Sequence, residues 1–374
     1  MTKQFFFAGD LMLARGVDQV LPNPLRNASL RESSCKHAHD YVRLAMKKWG
    51  MQRKPTWTAK ELLGDLLPAV RSREPIDLSV VNLETSVTTN DEFWPRKGVC
   101  YRASKQNCLD LLQTLRVDVL TLANNHTLDF GIKGLIDTLD AIDSASRVGA
   151  GRNDVEAFEP KIFADTAVFG LCLENSGIPV SWQARTEAAG LALILDEHDL
   201  NRAAREIERT DVPIKIVSLH AGGNWGYSIE PETQMVCRRL IDAGAHFIHG
   251  HSSHHARRAE LYKRRLILFG CGELLNDYEG IGDHAGFPSN TYNADLRYAY
   301  FPTLNDTGEF TEMKIDVFTQ ANCFRLERAT YDATQRAFRS LVADYRKGGL
   351  AMSTSMEAPN TLLVKPLRGT SIYL

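Results

Sequence analysis

Short runs of apolar and β-branched residues alternate with longer stretches of helical periodicity from the start of the chain to about residue 275. That alternation predicts an α/β fold. The runs that predict strands are KQFFFAG, IDLSVVNLE, VDVLTLA, KIFADTAVFGLCL, PIKIVSLH, AHFIHG and RLILFG. Several are continuously apolar, as expected where both faces of a sheet are covered. Between them TAKELLGDLLPAVRS, KQNCLDLLQTLR, GIKGLIDTLDAID and PETQMVCRRLIDAG carry helical spacing, the last ending on a glycine suited to a helix C-cap. An insertion at about 22–75, with a Pro-x-Pro turn and the amphipathic HDYVRLAMKKWG, is expected to border a site rather than to form a domain. The tail, about 294–374, reads as a hairpin, RYAYFPTLNDTGEFTEMKIDVF, and then a helix through DATQRAFRSLVADY that stops at Gly348 and Gly349. With no internal repeat or low-complexity segment, residues 1–374 read as one domain, long enough to bury a sizeable core.

Composition narrows the classes of partner. The 44 basic and 46 acidic side chains give a net charge of −2, so nothing favours nucleic acid or an anionic membrane. The basic run RRAELYKRR at 257–265 is read as a solvated turn. Seven scattered cysteines, none in a C-x-x-C pair, argue against a full disulfide framework and for a reducing, cytoplasmic setting. The first residues, MTKQFFFAGDLML, are interrupted by Asp10 and do not read as a signal peptide. No stretch approaches the roughly 20 apolar residues of a membrane span.

The chemistry is concentrated at the ends of the predicted strands. FFFAGD ends in Asp10, SVVNLE in Glu84, LTLANNH in Asn124, Asn125 and His126, and KIVSLH in His220. The stretch AHFIHGHSSHHARR, residues 245–258, holds five of the eleven histidines: His246, His249, His251, His254 and His255. Its Gly250 and Ser-Ser read as the turn that closes the preceding strand. Each residue alone has a structural explanation, as a helix cap, a turn or a hydrogen-bonded core histidine. Together they form a mixed oxygen and nitrogen donor set at the sheet edge where α/β proteins bind ligands. Such a set suits one or two divalent ions, Mn, Zn, Fe or Ca, rather than a thiolate site.

The order of the motifs GD, NLET, LANNHTLDFG, SLHAGGNWGY and GHSSHH, over about residues 5–280, resembles the CapA-like proteins named for poly-γ-glutamate capsule synthesis, a branch of the calcineurin-like metallophosphoesterase superfamily. The resemblance implies a four-layer α/β/β/α sandwich of two mixed sheets with a dinuclear metal centre above the strand ends. It also implies Asp10, Glu84, Asn125, His220, His251 and His254 as metal ligands, with His249 an alternative to one of the last two, and His126 as a catalytic histidine. Two departures matter. The superfamily's Asp-x-His becomes Asp10-Leu11-Met12, and its Gly-Asp-x-x-Asp is replaced by NLET with Glu84. Phosphatase activity is therefore not carried over.

Within that group, ARGVDQVLP and GCGELLNDYEGIGDH are similar to segments of the short branch that holds lasso-peptide epimerases. That likeness implies a metal-dependent enzyme acting on a peptide or polyglutamate-like substrate. The metal would polarise a carbonyl or carboxylate while Asp10 and His284 exchange an α-proton on opposite faces. Arg15, Lys97, Asn124, Arg102 and Ser176 are candidates to hold the substrate. The rival readings are a metal-dependent phosphoesterase or amide hydrolase, and a non-catalytic accessory protein of poly-γ-glutamate synthesis. GAGRND lacks the G-x-G-x-x-G spacing of a dinucleotide site, and no G-x-S-x-G nucleophile elbow is present.

Overall fold

In the computed structural model, which describes residues 2–281, 291–356 and 358–367, the three consecutive phenylalanines of the first strand show how the layers are organised. Successive side chains of a strand point to opposite faces. Phe5 and Phe7 accordingly enter the apolar core between two sheets, while Phe6 and Ala8 enter a second core beneath helices. All four are fully buried.

Among the described residues the first sheet has ten strands. Its central members, Lys3–Leu11, Leu78–Leu83, Val119–Thr121 and Arg147–Val148, run parallel in that spatial order. The hairpin of Leu296–Leu304 and Phe310–Ala321 adds antiparallel to Lys3–Leu11. The short strand Glu273–Leu275 lies parallel to the far end of Lys3–Leu11. The second sheet has seven strands among the described residues, with Thr166–Leu173, Ile214–His220, Phe247–His251 and Arg265–Leu268 parallel at its centre.

Among the described residues, three large apolar cores separate four layers. Helices Ala38–Lys48, Lys105–Leu115 and Gly131–Ala141 close the outer face of the first sheet. Helices Glu197–Arg209 and Pro231–Asp242 close the second. Between the sheets Phe7 stacks on Phe247 with ring centroids 4.5 Å apart. Helix Tyr331–Lys347 buries Ala333, Ala337, Leu341 and Tyr345 in this central core. The architecture is the expected α/β/β/α sandwich, metallophosphoesterase-like in its layers.

Several elements differ from their sequence reading. TAKELLGDLLPAVRS is two helices, Ala59–Leu63 and Leu66–Arg71, because Gly64 adopts φ +43° and lies against the backbone of Leu326. KIFADTAVFGLCL is an antiparallel pair, Lys161–Phe163 and Thr166–Leu173, which turns at Ala164 with φ +53°. The strand before the histidine cluster continues through Gly250 to His251, since Leu219 and His220 keep pairing with Gly250 and His251. Past Gly349 the chain forms two further strands, Leu350–Thr354 and Thr361–Pro366. Among the described residues, no helix is long and apolar enough to cross a membrane, and all seven cysteines are free and buried.

Candidate metal centre

Because the central strands of both sheets run parallel and face each other across one core, their carboxyl ends open at the same edge of the sandwich. Asp10 arrives there through a bulge, as the register against Leu78–Leu83 shifts between Ala8 and Asp10. The preceding Gly9 permits a close crossing: a Cβ there would lie 1.7 Å from the Gly272 carbonyl oxygen. His220 and His251 end neighbouring strands of the second sheet as a register pair. Donor atoms of Asp10, His220 and His251, all buried, lie within 4.8 Å of one another.

Hydrogen bonds fix the orientation of this group. Asn82 Nδ2 donates to Asp10 Oδ1 (2.7 Å) and to Glu84 Oε2 (2.5 Å), clamping two carboxylates together. Its own Oδ1 accepts from Asn124 Nδ2 at 2.9 Å. Across the core, Thr121 Oγ1 donates to Ser218 Oγ at 2.6 Å, and Ser218 Oγ lies 3.0 Å from both His249 Nδ1 and His251 Nε2. His249 Nε2 sits 2.8 Å from the Ala8 carbonyl, which only accepts, so Nε2 carries the proton. His249 Nδ1 therefore accepts the Ser218 hydroxyl proton, and Ser218 accepts from His251 Nε2. This leaves His251 Nδ1 as the acceptor nitrogen facing His220 Nδ1, 2.8 Å away, so His220 donates its Nδ1–H and keeps its open lone pair on Nε2. His249, with both nitrogens engaged, has no lone pair left for a cation.

A second acid/base group borders the cluster. His126 Nδ1 contacts Asp129 Oδ2 at 2.6 Å, its ring stacks on Tyr101 at 3.8 Å, and its Nε2 lies 4.0 Å from Glu84 Oε1. Lys97 is bonded to Asp129, to the Asn125 carbonyl oxygen and to His126 Nδ1. His254 Nδ1 pairs with Glu273 Oε1.

The sequence-derived residues thus fall into two sets. Asp10, Glu84, Asn125, His126, His220, His251 and His254 carry donors at or beside the shared edge, and His249 and Asn124 support them from within the core. Arg15 is buried and bound by Asp277 and Glu32, so it ties the insertion to the core and offers no free cation to a substrate. Arg102 is held by Asp91 and by the carbonyls of Asn27 and Asn90. The Ser176 hydroxyl donates to the Leu173 carbonyl, while the Ser176 carbonyl accepts from Asn125 Nδ2. His284 lies outside the described residues.

Glu273, Asn82, Ser218 and Asp129 do not stand out as site residues in the sequence. Asn82 and Ser218 do leave a signal there, as polar residues inside the apolar runs SVVNLE and KIVSLH, where an unpaired polar group is costly.

Charge and bonding both leave room for a cation. Burial raises the Asp10 carboxyl to about 7, with Glu273 adding to the rise and His254 opposing it. Burial, and then Asp10 itself, push Glu84 well above the carboxylate range. Burial holds His220 and His251 far below the usual histidine value and therefore neutral. Asp10 Oδ2, Asn125 Oδ1, His220 Nε2 and Glu273 Oε2 are buried without a hydrogen-bond partner. Carboxylate, amide and imidazole donors of this kind fit a divalent ion such as Mn, Zn or Fe.

The chain is similar to known proteins along most of its length. The family model described as bacterial capsule synthesis protein PGA_cap matches residues 4–278. A probable polyglutamine synthesis accessory protein of Mycobacterium tuberculosis is 38% identical over 371 residues, covering 95% of this chain and 93% of that one. A capsule biosynthesis protein CapA of Bacillus anthracis is 25% identical over 254 residues, 66% of this chain and 59% of its own length. A hypothetical protein from Thermus thermophilus aligns with a TM-score of 0.46 at 13% identity over 84% of this chain and 99% of that one. With more than half its length matched by that model and a 38% identical relative along nearly all of it, the chain belongs to the PGA_cap family of bacterial capsule synthesis proteins.

Proposed function

We propose that this protein is a metal-dependent enzyme that acts on a peptide or polyglutamate-like chain, by acid/base chemistry at a carbonyl or carboxylate held against one or two divalent ions. The observation that carries this reading is the set of buried, partnerless donors around Asp10, His220 and His251, bordered by a His126 oriented by Asp129. When bound, the ion supplies Lewis acidity toward a substrate oxygen. Asp10, His220 and His251 hold it, and Asn82 and Ser218 orient two of those three. His126 Nε2 faces the same space and moves the proton, with Asp129 fixing the ring through Nδ1. The substrate class follows the names of the relatives, which speak of polyglutamine synthesis and of capsule biosynthesis, together with the motif likeness to poly-γ-glutamate synthesis proteins.

Two reactions share this chemistry. Inversion at an α-carbon needs proton-transfer groups on opposite faces. Asp10, expected to pair with His284 for it, is inside the buried ligand group, where a carboxylate that holds the ion is not free to carry a proton. Amide cleavage needs a single proton-transfer group, which His126 supplies, so hydrolysis of the chain is the better-supported reaction. A synthetic oligo-glutamyl peptide incubated with Mn-loaded protein in deuterated, ¹⁸O-enriched water distinguishes them by mass spectrometry. One ¹⁸O is expected in the fragment that gains the new carboxyl group and none in the amine fragment, with loss of at least about 100-fold in rate for His126→Ala. Deuterium at an α-position without cleavage would establish inversion instead. An unchanged substrate under all metals tried would favour the accessory role.

A further inference from the structure

A single hydrogen bond does not fix the plane of a ring. His126 Nδ1 meets Asp129 Oδ2 at 2.6 Å, but the imidazole could still swing about that line and carry Nε2 away from the site. Tyr101, 3% exposed, closes that freedom in two ways. Its backbone amide donates to the same Asp129 oxygen at 2.6 Å. Its ring stacks on His126, with centroids 3.8 Å apart and planes 19° from parallel. The Tyr101 hydroxyl lies 2.9 Å from that of Tyr278, which holds the far end of the ring.

The other face of Tyr101 is covered by Arg15, whose guanidinium carbon lies 4.6 Å over the ring centroid. Two groups this close cannot share one face, so His126, Tyr101 and Arg15 form a sandwich. Arg15 is itself held from several sides. Asp277 accepts from its Nε at 3.1 Å and from Nη2, while Glu32 and the Tyr41 hydroxyl accept from Nη1 at 2.8 Å and 2.9 Å. Its backbone takes φ +49° and ψ −120°, a conformation that favours glycine and persists in a bulky residue only where the surroundings impose it. An ion pair with Asp277 and Glu32 explains why a cation is buried here. It does not explain why the cation stands behind the ring that carries His126.

We propose that Tyr101 and Arg15 are positioning residues for His126. Tyr101 sets the plane of the imidazole, Arg15 backs Tyr101, and the insertion, through Glu32 and Tyr41, thereby governs where His126 Nε2 points. This inference rests on the reading of His126 as the proton-transfer group for its effect on rate. Its effect on geometry is measurable without turnover, which separates the two.

Full-length protein labelled with ¹⁵N and ¹³C at histidine and stripped of metal with chelator at pH 8 reports the ring by NMR. The His126 signals are identified by their loss in His126→Gln. For the wild type, one Nδ1–H tautomer is expected, with the carbon-bound ring protons shifted upfield by the ring current of Tyr101. Tyr101→Phe retains the stacked ring and is expected to retain both features. Tyr101→Leu is expected to give a mixture of tautomers. Arg15→Lys keeps the charge but not the fork that spans Asp277 and Glu32, and is expected to reduce the upfield shift. In cleavage of the oligo-glutamyl peptide, Tyr101→Leu is expected to lose more than about tenfold in kcat with KM within about twofold of wild type, and Tyr101→Phe to recover most of that loss. A wild-type His126 without the upfield shift overturns the proposal, and so does a single tautomer or an unchanged kcat in Tyr101→Leu. An unchanged shift in Arg15→Lys overturns the part given to Arg15. A wild type with the expected spectrum but no turnover overturns the proton-transfer reading and leaves the positioning standing. Because the wild-type spectrum can refute the stack by itself, and Tyr101 and Arg15 are tested separately, poor folding of one variant does not leave the question open.

Discussion

Ser218 shows how a single hydroxyl decides which histidine has a lone pair to give. Its oxygen takes the Thr121 proton and the His251 Nε2 proton and gives its own to His249. His251 Nδ1 is thereby left as the acceptor nitrogen, facing His220 Nδ1 at 2.8 Å. Ser218→Ala removes the acceptor, so His251 loses the contact that favours its Nε2–H tautomer. Mn affinity is expected to fall by about 10- to 100-fold, the usual cost of losing a partner of a metal-binding histidine. Competition titration against a fluorescent chelator measures it, and an affinity unchanged from wild type would refute the tautomer assignment. At this scale the sequence reveals the residue types that bind metals but not their partners. Asp10, His220 and His251 stand at the ends of apolar runs and are legible. Asn82, Ser218 and Glu273 act by meeting residues distant in the chain, 72 positions away for Asn82 and Asp10. Likewise, only the placement of Ala8 opposite His249 shows that His249 is engaged on both nitrogens.

Elements are legible where their periodicity is strong and unbroken. The continuously apolar strands and the helices Lys105–Leu115, Gly131–Ala141 and Pro231–Asp242 follow their sequence patterns closely. Helix Glu197–Arg209 escapes that reading because its segment, EHDLNRAAREIER, is dominated by charge. Its buried residues Leu200, Ala203, Ala204 and Ile207 nevertheless follow the i, i+3, i+4, i+7 spacing of one face. The breaks at Gly64 and Ala164 depend on left-handed backbone conformations, which an uninterrupted apolar pattern conceals. The stack of Phe7 on Phe247 joins the two strands that lead to Asp10 and His251, so packing there also holds the two sides of the cradle at their spacing. Phe7→Ala is expected to cost about 3–5 kcal/mol of stability, read from urea unfolding of the metal-free protein. Mn affinity should fall in the same variant, and a loss of stability with no change in affinity would show that the cradle is set by local contacts alone.

For the whole molecule, the buried ionisable groups make stability depend on pH in two opposing ways. Asp10 has a folded-state pKa of about 7 against 3.8 as a free carboxyl, with burial as the main cause. Between those values the folded chain keeps a proton that the unfolded chain has released, so stability without metal falls as pH rises from about 4 to 7. The shift corresponds to a loss on the order of 4 kcal/mol, and Glu84, also raised by burial, adds in the same direction. The histidines act oppositely. Burial lowers His249 and His126 to about 4, so their contributions are present above the ordinary histidine value near 6.5 and are lost as pH falls from there toward 4. A divalent ion replaces the proton at Asp10 and Glu84 and needs the histidines neutral, so it removes the penalty on the alkaline side and is itself displaced on the acidic side. The difference in melting temperature between metal-loaded and chelator-stripped protein should therefore widen steadily from about pH 5 to about pH 8. Differential scanning calorimetry across that range, at fixed free Mn²⁺, measures it. A difference that stays constant or narrows toward the alkaline end would mean that the buried carboxylates are neutralised from within the protein, and that the strand-end cluster is a polar core rather than a cation site.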